Sequence, residues 1–254
     1  VYTLLEKVTG ARLTYSYTRI GGFVRDLYEG FEDDLKVVIK DIEKNVSDIE
    51  NLITNNRIFV DRTRDIGIVS AEDAINWGFT GPCLRASGVE HDLRKLEPYY
   101  GYENYDFEIP IGQTGDTYDR IMVRLAEIHQ SISIIHQVLA NMPKGPIHTT
   151  DRRVKLPEKQ EVYSSIEGLM NHFKLVMHGV QPPEGEVYSV TEAANGELGF
   201  YLISDGSMNP YRIKVRPPCF PIFAAYEKVI ENHMIADAIA ILGSFNVVVG
   251  ELDR

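Results

Sequence analysis

Residues 81–95, GPCLRASGVEHDLRK, crowd a thiol, an imidazole, two guanidiniums and several further charges into one short run. Three kinds of chemistry use such a set: a metal centre, a charged surface that receives a partner or an anion, and a loop tied down by its own ion pairs. The metal is the weakest of these. Arginine is not a ligand, and Cys83 and His91 lack the companions that complete a coordination shell. Arg85, His91, Asp92 and Arg94 are able to pair among themselves, and a buried arginine needs such partners because its charge is costly to desolvate. A second dense run, GDTYDRIMVR at 115–124, sets Asp116, Arg120 and Arg124 four apart, on one face of a helix, with Asp119 beside that face and Glu127 three beyond Arg124. Two arginines one turn apart repel unless something anionic sits between them, either a carboxylate of the fold or an anionic group of a partner.

Other polar residues point less sharply. His129 and His136 share a helix face, but two turns place them about 10 Å apart, too far for one metal. They read as surface groups, as does His148 in its loop. His233 suits a helix terminus. Glu192 and Glu197 flank Asn195-Gly196, where acids at a hairpin tip either meet basic groups or are solvated turn residues. No phosphate-cradling GxxxxGK[ST] loop, dinucleotide GxGxxG fingerprint or GxSxG nucleophile elbow is present. Cys83 and Cys219 form no CxxC pair and read as buried thiols.

The elements that must carry these residues follow from apolar spacing. Leu35, Val38, Ile39, Ile42, Val46, Ile49, Leu52 and Ile53 predict a long helix over 32–55, ended at Asn55-Asn56. A short helix is expected over 57–63, and Ser70 with Asp73 predicts a capping box that starts another reaching Trp77. Residues 78–113, rich in glycine, proline and tyrosine, read as an ordered loop. A second long helix spans 116–141, with Ile121, Leu125, Ile128, Ile132, Ile135 and Leu139 as its buried face, and a third spans 158–178. EVYSVTEA and LGFYLISDG predict a hairpin turning at Asn195-Gly196, and YRIKVRP adds a strand. Residues 221–232 and 234–243 are expected to be helical, and the apolar end, before Glu251, Asp253 and Arg254, to pack on the chain's own core. The fold class is mainly α with a small antiparallel β-sheet (α+β): one domain over 1–254 with a β insertion at about 187–216.

The chain has 254 residues, 44% of them apolar, and a formal net charge of −11, the wrong sign for general nucleic-acid affinity. No run is long and apolar enough to span a membrane. The chain starts on valine, and VYTLLEKVTG reads as the end of a helix stopped by Gly10, so further sequence is expected upstream.

The blocks TGARLTYSYTRIGG, LRASGVEHDLRK, EPYYGYENYDFEIPIG, GDTYDRIMVRLAE, ANGELGFYLISDG and IADAIAILGSFNVVVGELDR, in this order over nearly the whole chain, resemble the 49-kDa (D) subunits of proton-pumping NADH–quinone oxidoreductase, respiratory complex I. The resemblance covers the C-terminal portion of such a subunit. It implies a mostly helical fold shared with the large subunit of nickel–iron hydrogenases. The hydrogenase's C-terminal cysteine pair is absent here, where Ser244, Phe245 and Val248 stand in that region, so no metal is expected. It further implies that this chain binds no cofactor of its own. It would form one wall of a quinone chamber beside the B subunit, whose terminal 4Fe–4S cluster passes electrons to quinone. The C subunit and the membrane-arm subunits would be further partners, and the location would be the cytoplasmic face of the inner membrane. The family's quinone-contacting histidine and tyrosine would precede Val1. The residues implied to lie in the quinone and cluster environment or at the interface are Thr14 (where many members carry histidine), Arg19, Arg85, Asp92, Arg94, Asp119, Arg120 and Arg124. Arg85 is the one expected to favour an anionic quinone species or to raise the cluster potential, with Arg94 more structural. The alternatives are a subunit of a ferredoxin- or F420-linked relative or of a membrane-bound hydrogenase, and a non-catalytic scaffold of the same fold.

Overall fold

Gly10 stops the first helix, α1 (Tyr2–Thr9), by adopting φ 89°, the left-handed cap conformation that costs glycine nothing. The computed structural model describes residues 1–54 and 56–253; the expected helix end at Asn55 and the terminal Arg254 lie outside them. A minimal hairpin, β1 (Thr18–Arg19) and β2 (Gly22–Phe23), pairs antiparallel with Thr18 opposite Phe23. Gly22 is required there because a Cβ would collide with the Ile147 carbonyl oxygen. The first long helix, α2 (Phe31–Ile53), opens with Glu32, Asp33 and Asp34, placed to favour the positive end of the helix dipole. Ile39 and Val46, two turns apart, are its buried residues.

Asn56 begins α3 (Arg57–Asp61), accepting from the Ile58 and Phe59 N–H groups. Ser70 caps α4 (Ala71–Asn76) through the Asp73 N–H, and its hydroxyl also donates to the Asp73 carboxylate at 2.7 Å. The region expected to be a loop carries α5 (Gly81–Ala86), α6 (Leu93–Leu96) and a 3-10 turn at Tyr102–Asn104. Gly81-Pro82, inside the expected loop, starts a helix instead, since a proline in the first turn forfeits no hydrogen bond. Asp92 starts the next by accepting from the Arg94 N–H.

The second long helix, α7 (Thr117–Ala140), begins at Asp116 as expected, but its buried face differs. Thr117, Arg120, Val123, Ile132 and Ile134 are buried, so of the predicted stripe only Ile132 is fully enclosed. The N-terminal half packs on α5 and on α12 (Ile235–Phe245) through polar groups, which a hydrophobic period does not register. The helix expected over 158–178 is two, α8 (Lys159–Ser164) and α9 (Ile166–His178). Ser165 turns extended between them and caps the second through the Gly168 N–H at 2.9 Å.

The hairpin is β3 (Gly185–Ala193) and β4 (Gly196–Ser204), and with β5 (Arg212–Arg216) it makes a sheet of order β3-β4-β5. Residues 221–232 divide into α10 (Cys219–Ala224) and α11 (Tyr226–Val229). The architecture is therefore mainly helical with small sheets.

The chain forms two compact units, one of Val1–Asp41, Met142–Glu186 and Leu202–Ile213, the other of Ile42–Asn141, Val187–Tyr201 and Lys214–Arg254. The second holds the main apolar core: Val69, Ala74, Phe79, Cys83, Leu84, Ile222, Ala225, Ile241 and Phe245. Burying such side chains supplies the driving force that fixes α4, α5, α10 and α12 together.

Candidate functional site

In the second unit the last turn of α5 carries Arg85, whose side chain is 1% exposed. A guanidinium taken out of water needs every donor answered, and here carboxylates from three elements answer it. Its Nε and Nη2 both lie 2.7 Å from Oε1 of Glu127 on α7. Nη1 donates to Glu192 Oε1 on β3 at 2.9 Å and to the His91 carbonyl at 2.7 Å, with Asp92 Oδ2 at 3.6 Å. Asp92 in turn holds Arg94 in a two-pronged pair, Nε to Oδ1 at 2.9 Å and Nη2 to Oδ2 at 2.6 Å. Arg94 lies over the Phe107 ring at 5.0 Å. Glu192 is fixed at its other oxygen by the Leu93 N–H and at its own N–H by the Tyr99 hydroxyl.

The cluster's charges do not cancel, because Arg85 and Arg94 face Asp92, Glu127 and Glu192, two positive against three negative. Burial works against the charge on Arg85, but Glu127, Glu192 and Asp92 outweigh it and raise its pKa. Burial likewise opposes ionisation of Asp92, and the Arg94 pair overcomes it, so this carboxyl ends below its usual range. Glu127 goes the other way. Burial outweighs Arg85 and Arg94, and its pKa is raised.

Arg120 and Arg124 were expected to share an anion, and they do not. Arg120, 1% exposed, donates to Ser244 Oγ at 2.8 Å, to the Gly115 carbonyl at 2.7 Å, and to the Gly67 carbonyl and Thr117 Oγ1, and it stacks on Phe245. Arg124 donates to the Arg120, Ser244 and Phe245 carbonyls and to Cys83 Sγ. For Arg124, carbonyl oxygens at the C-terminal end of α12, the negative end of its dipole, take the place of the carboxylate. Asp116 does not pair with Arg120 either. It caps α7 and accepts the Asp65 N–H at 2.9 Å. Burial lowers the Arg120 pKa to about 10, which still leaves it charged at neutral pH.

The remaining residues singled out from sequence sit elsewhere. Asp119 Oδ2 gathers the N–H groups of Gln113, Thr114 and Gly115, fastening the preceding loop to the first turn of α7. Thr14 and Arg19 belong to the first unit and are exposed, Thr14 at a left-handed φ of 53°. His129 and His136 pair with Glu50 and Glu43 of α2 at the surface. The His233 imidazole, expected at a helix terminus, meets a loop instead. Its Nε2 accepts the Gly67 N–H at 3.2 Å. Among the described residues no group of histidine, cysteine and carboxylate side chains is arranged to hold a metal ion.

A cavity of about 460 Å³ opens over the cluster, lined among others by Arg85, Arg94, Arg124, Glu127, Ser131, Glu192 and Asn246. Arg124 Nε is buried there without a partner among the described residues. A larger hollow of about 760 Å³ in the first unit, lined by Tyr17, Phe23, Phe31 and Met142, holds none of the predicted site residues. Sequence reasoning placed neither Glu127 nor Glu192 at Arg85. Glu127 was visible only as the acid one turn beyond Arg124, and Glu192 only as an acid near a hairpin tip. Asn195 and Asn246 bond to each other at 2.8 Å and anchor the hairpin turn to the cap of α12; Asn195 was visible only as a turn residue, and Asn246 gave no signal.

Residues 1–254 match the model of a family described as respiratory-chain NADH dehydrogenase, 49 Kd subunit. The C/D subunit of the NADH-quinone oxidoreductase of Bdellovibrio bacteriovorus is 55% identical over all 254 residues, which cover 45% of that protein. The D subunit of the Methylacidiphilum infernorum enzyme is 52% identical over 254 residues, 61% of its length. That of Myxococcus xanthus is 52% identical over 248 residues, 98% of this chain and 60% of the relative. The chain thus spans about half to three-fifths of the length of these relatives.

Proposed function

Since the chain belongs to the 49 kDa subunit family of respiratory-chain NADH dehydrogenase, we propose that it works as part of the D subunit of a proton-pumping NADH–quinone oxidoreductase. In this reading it carries no redox centre and supplies polar walls to the chamber in which quinone is reduced beside a cluster-bearing B subunit. The observation that carries the reading is the buried charge cluster around Arg85, set against a cavity and built from residues far apart in the chain. A fold does not need so costly an arrangement for stability alone, and fixed charges around a reacting group stabilise charge that develops there.

Within this reading the arginines have different tasks. Arg85, enclosed by carboxylates, organises the cluster. Arg124, half-buried and with one donor still open, is the cation that looks into the cavity. Thr14 and Arg19 are assigned to the partner-facing side because both are exposed. The C subunit is a further partner. A relative in which C and D are one polypeptide supports that pairing. No helix among the described residues is long and apolar enough to cross a membrane; attachment at the cytoplasmic face of the inner membrane would come through the membrane-arm subunits.

The test replaces Arg85 by methionine in the full-length subunit within the assembled enzyme. Quinone reduction by NADH should fall at least tenfold, while NADH oxidation by an artificial acceptor served upstream of the quinone should persist. Unchanged quinone reduction in an assembled variant would refute the role given to the cluster.

A further inference from the structure

The carboxylates of the Arg85 cluster are not equivalent. Asp92 uses both oxygens, each taken by Arg94. Glu192 also uses both, Oε1 by Arg85 and Oε2 by the Leu93 N–H. Glu127 receives both Arg85 donors on Oε1, and among the described residues no hydrogen bond reaches its Oε2. Its side chain keeps 17% of its exposure and lines the cavity, so solvent reaches the free oxygen. A proton added at Oε2 would leave the Arg85 pair intact and would cancel the one negative charge that the cluster holds in excess.

We infer that Glu127 is the proton-holding residue of this cavity, taking up a proton at Oε2 from solvent and giving it back there. The step is a proton transfer only: one O–H bond forms at Oε2 and later breaks, and the electron pair stays on the carboxylate. Every charged group packed against Glu127 enters the balance. Arg85 on α5 and Arg94 on α6 favour the anion; Glu192 on β3 and Asp92 beside Arg94 favour the protonated form. Arg124, one turn away on α7, also favours the anion through its charge; its Nη donors go to the Arg120, Ser244 and Phe245 carbonyls and to Cys83 Sγ, and among the described residues it makes no ion pair with Glu127. Tyr102 also borders the cavity. The direction of the Glu127 shift agrees, since burial outweighs the arginines and holds the proton on to higher pH than a solvated glutamate would. What the proton is for rests on the reading above, because quinone becomes quinol by taking up protons together with electrons. That the site holds a proton does not rest on it.

The experiment is infrared difference spectroscopy of the assembled enzyme across a pH titration, with the unaltered chain, Glu127→Gln and Glu192→Gln. The unaltered enzyme should show a carboxylic-acid carbonyl band that fades as pH rises. The band should be missing from E127Q at every pH. In E192Q it should fade at lower pH, because a negative neighbour that favours the protonated form is gone. A full-strength band in E127Q, or an E192Q titration that coincides with the unaltered one, would overturn the inference. Should E127Q not assemble, the E192Q shift decides together with glutamate-selective carbon-13 labelling of the unaltered chain; a band that neither moves overturns it as well. An intact assembly that shows the band but never reduces quinone sinks the functional reading and leaves the proton site standing.

Discussion

At the scale of single residues, a buried charge is tolerated only while its partners remain. Removing the Arg85 guanidinium strands Glu127 and Glu192 together, while Asp92 keeps Arg94, and breaking a buried pair costs about 3–5 kcal/mol. Arg85→Met should therefore lower the thermal midpoint of the full-length subunit well beyond an ordinary core substitution, a loss that calorimetry reads directly. Arg85→Lys keeps the charge but lacks the fork that serves Glu127 and Glu192 at once, and should fall between the two. Asp92 makes a prediction about pH. Burial pushes its carboxyl up and the Arg94 pair pushes it further down, so its folded pKa lies below the unfolded value of 3.8. The stabilisation is complete above that unfolded value and is lost as pH falls through the folded pKa. Denaturant unfolding followed from neutral to acid pH should show this loss in the unaltered chain and a shallower acid limb in Asp92→Asn.

At the scale of elements, short helices depend on their ends more than on their middles. Ser165 both interrupts the helical period of 158–178 and starts α9, so Ser165→Ala should cost about 1 kcal/mol, visible in a denaturant midpoint without a change in slope. Gly81, at φ 64°, opens the helix that carries Arg85, and a Cβ there would run into the Gly196 backbone. Gly81→Ala joins an unsuitable backbone to a backbone clash, and should cost more than about 1 kcal/mol, measured by the same unfolding curves. Gly196 has the matching constraint, as its own Cβ would meet Thr80. This approach of glycine to glycine is what lets the hairpin turn reach α5 and present Glu192 to Arg85.

At the scale of the molecule, the candidate site depends on contacts that join distant parts of the chain. Arg85 meets Glu192 across 107 positions, and Asn195 meets Asn246 across 51. Asn195 is buried, donating to the Asn246 carbonyl and to Cys219 Sγ. Asn195→Ala leaves the Asn246 carbonyl and side-chain amide unanswered, at a cost of about 1–3 kcal/mol. Trp77, the chain's single tryptophan, lies in the same unit and reports on it. Its fluorescence midpoint should fall in Asn195→Ala; an unmoved midpoint would mean that the hairpin is not coupled to this core.

Apolar spacing, caps and turn residues by themselves determined α2, the start of α7, the cap at Ser70, the hairpin and its third strand, and the mainly helical class, because each is decided by side chains near one another in sequence. The quoted blocks likewise determined the family. What only the tertiary structure decided is which charges meet. Arg124 looks, in sequence, like a residue waiting for an anion, yet the Ser244 and Phe245 carbonyls at the end of α12 receive it; Arg85 gathers its acids from α7 and β3. A charge is satisfied by whatever the fold brings within hydrogen-bonding reach, and no local spacing records what will arrive from another hundred residues along the chain.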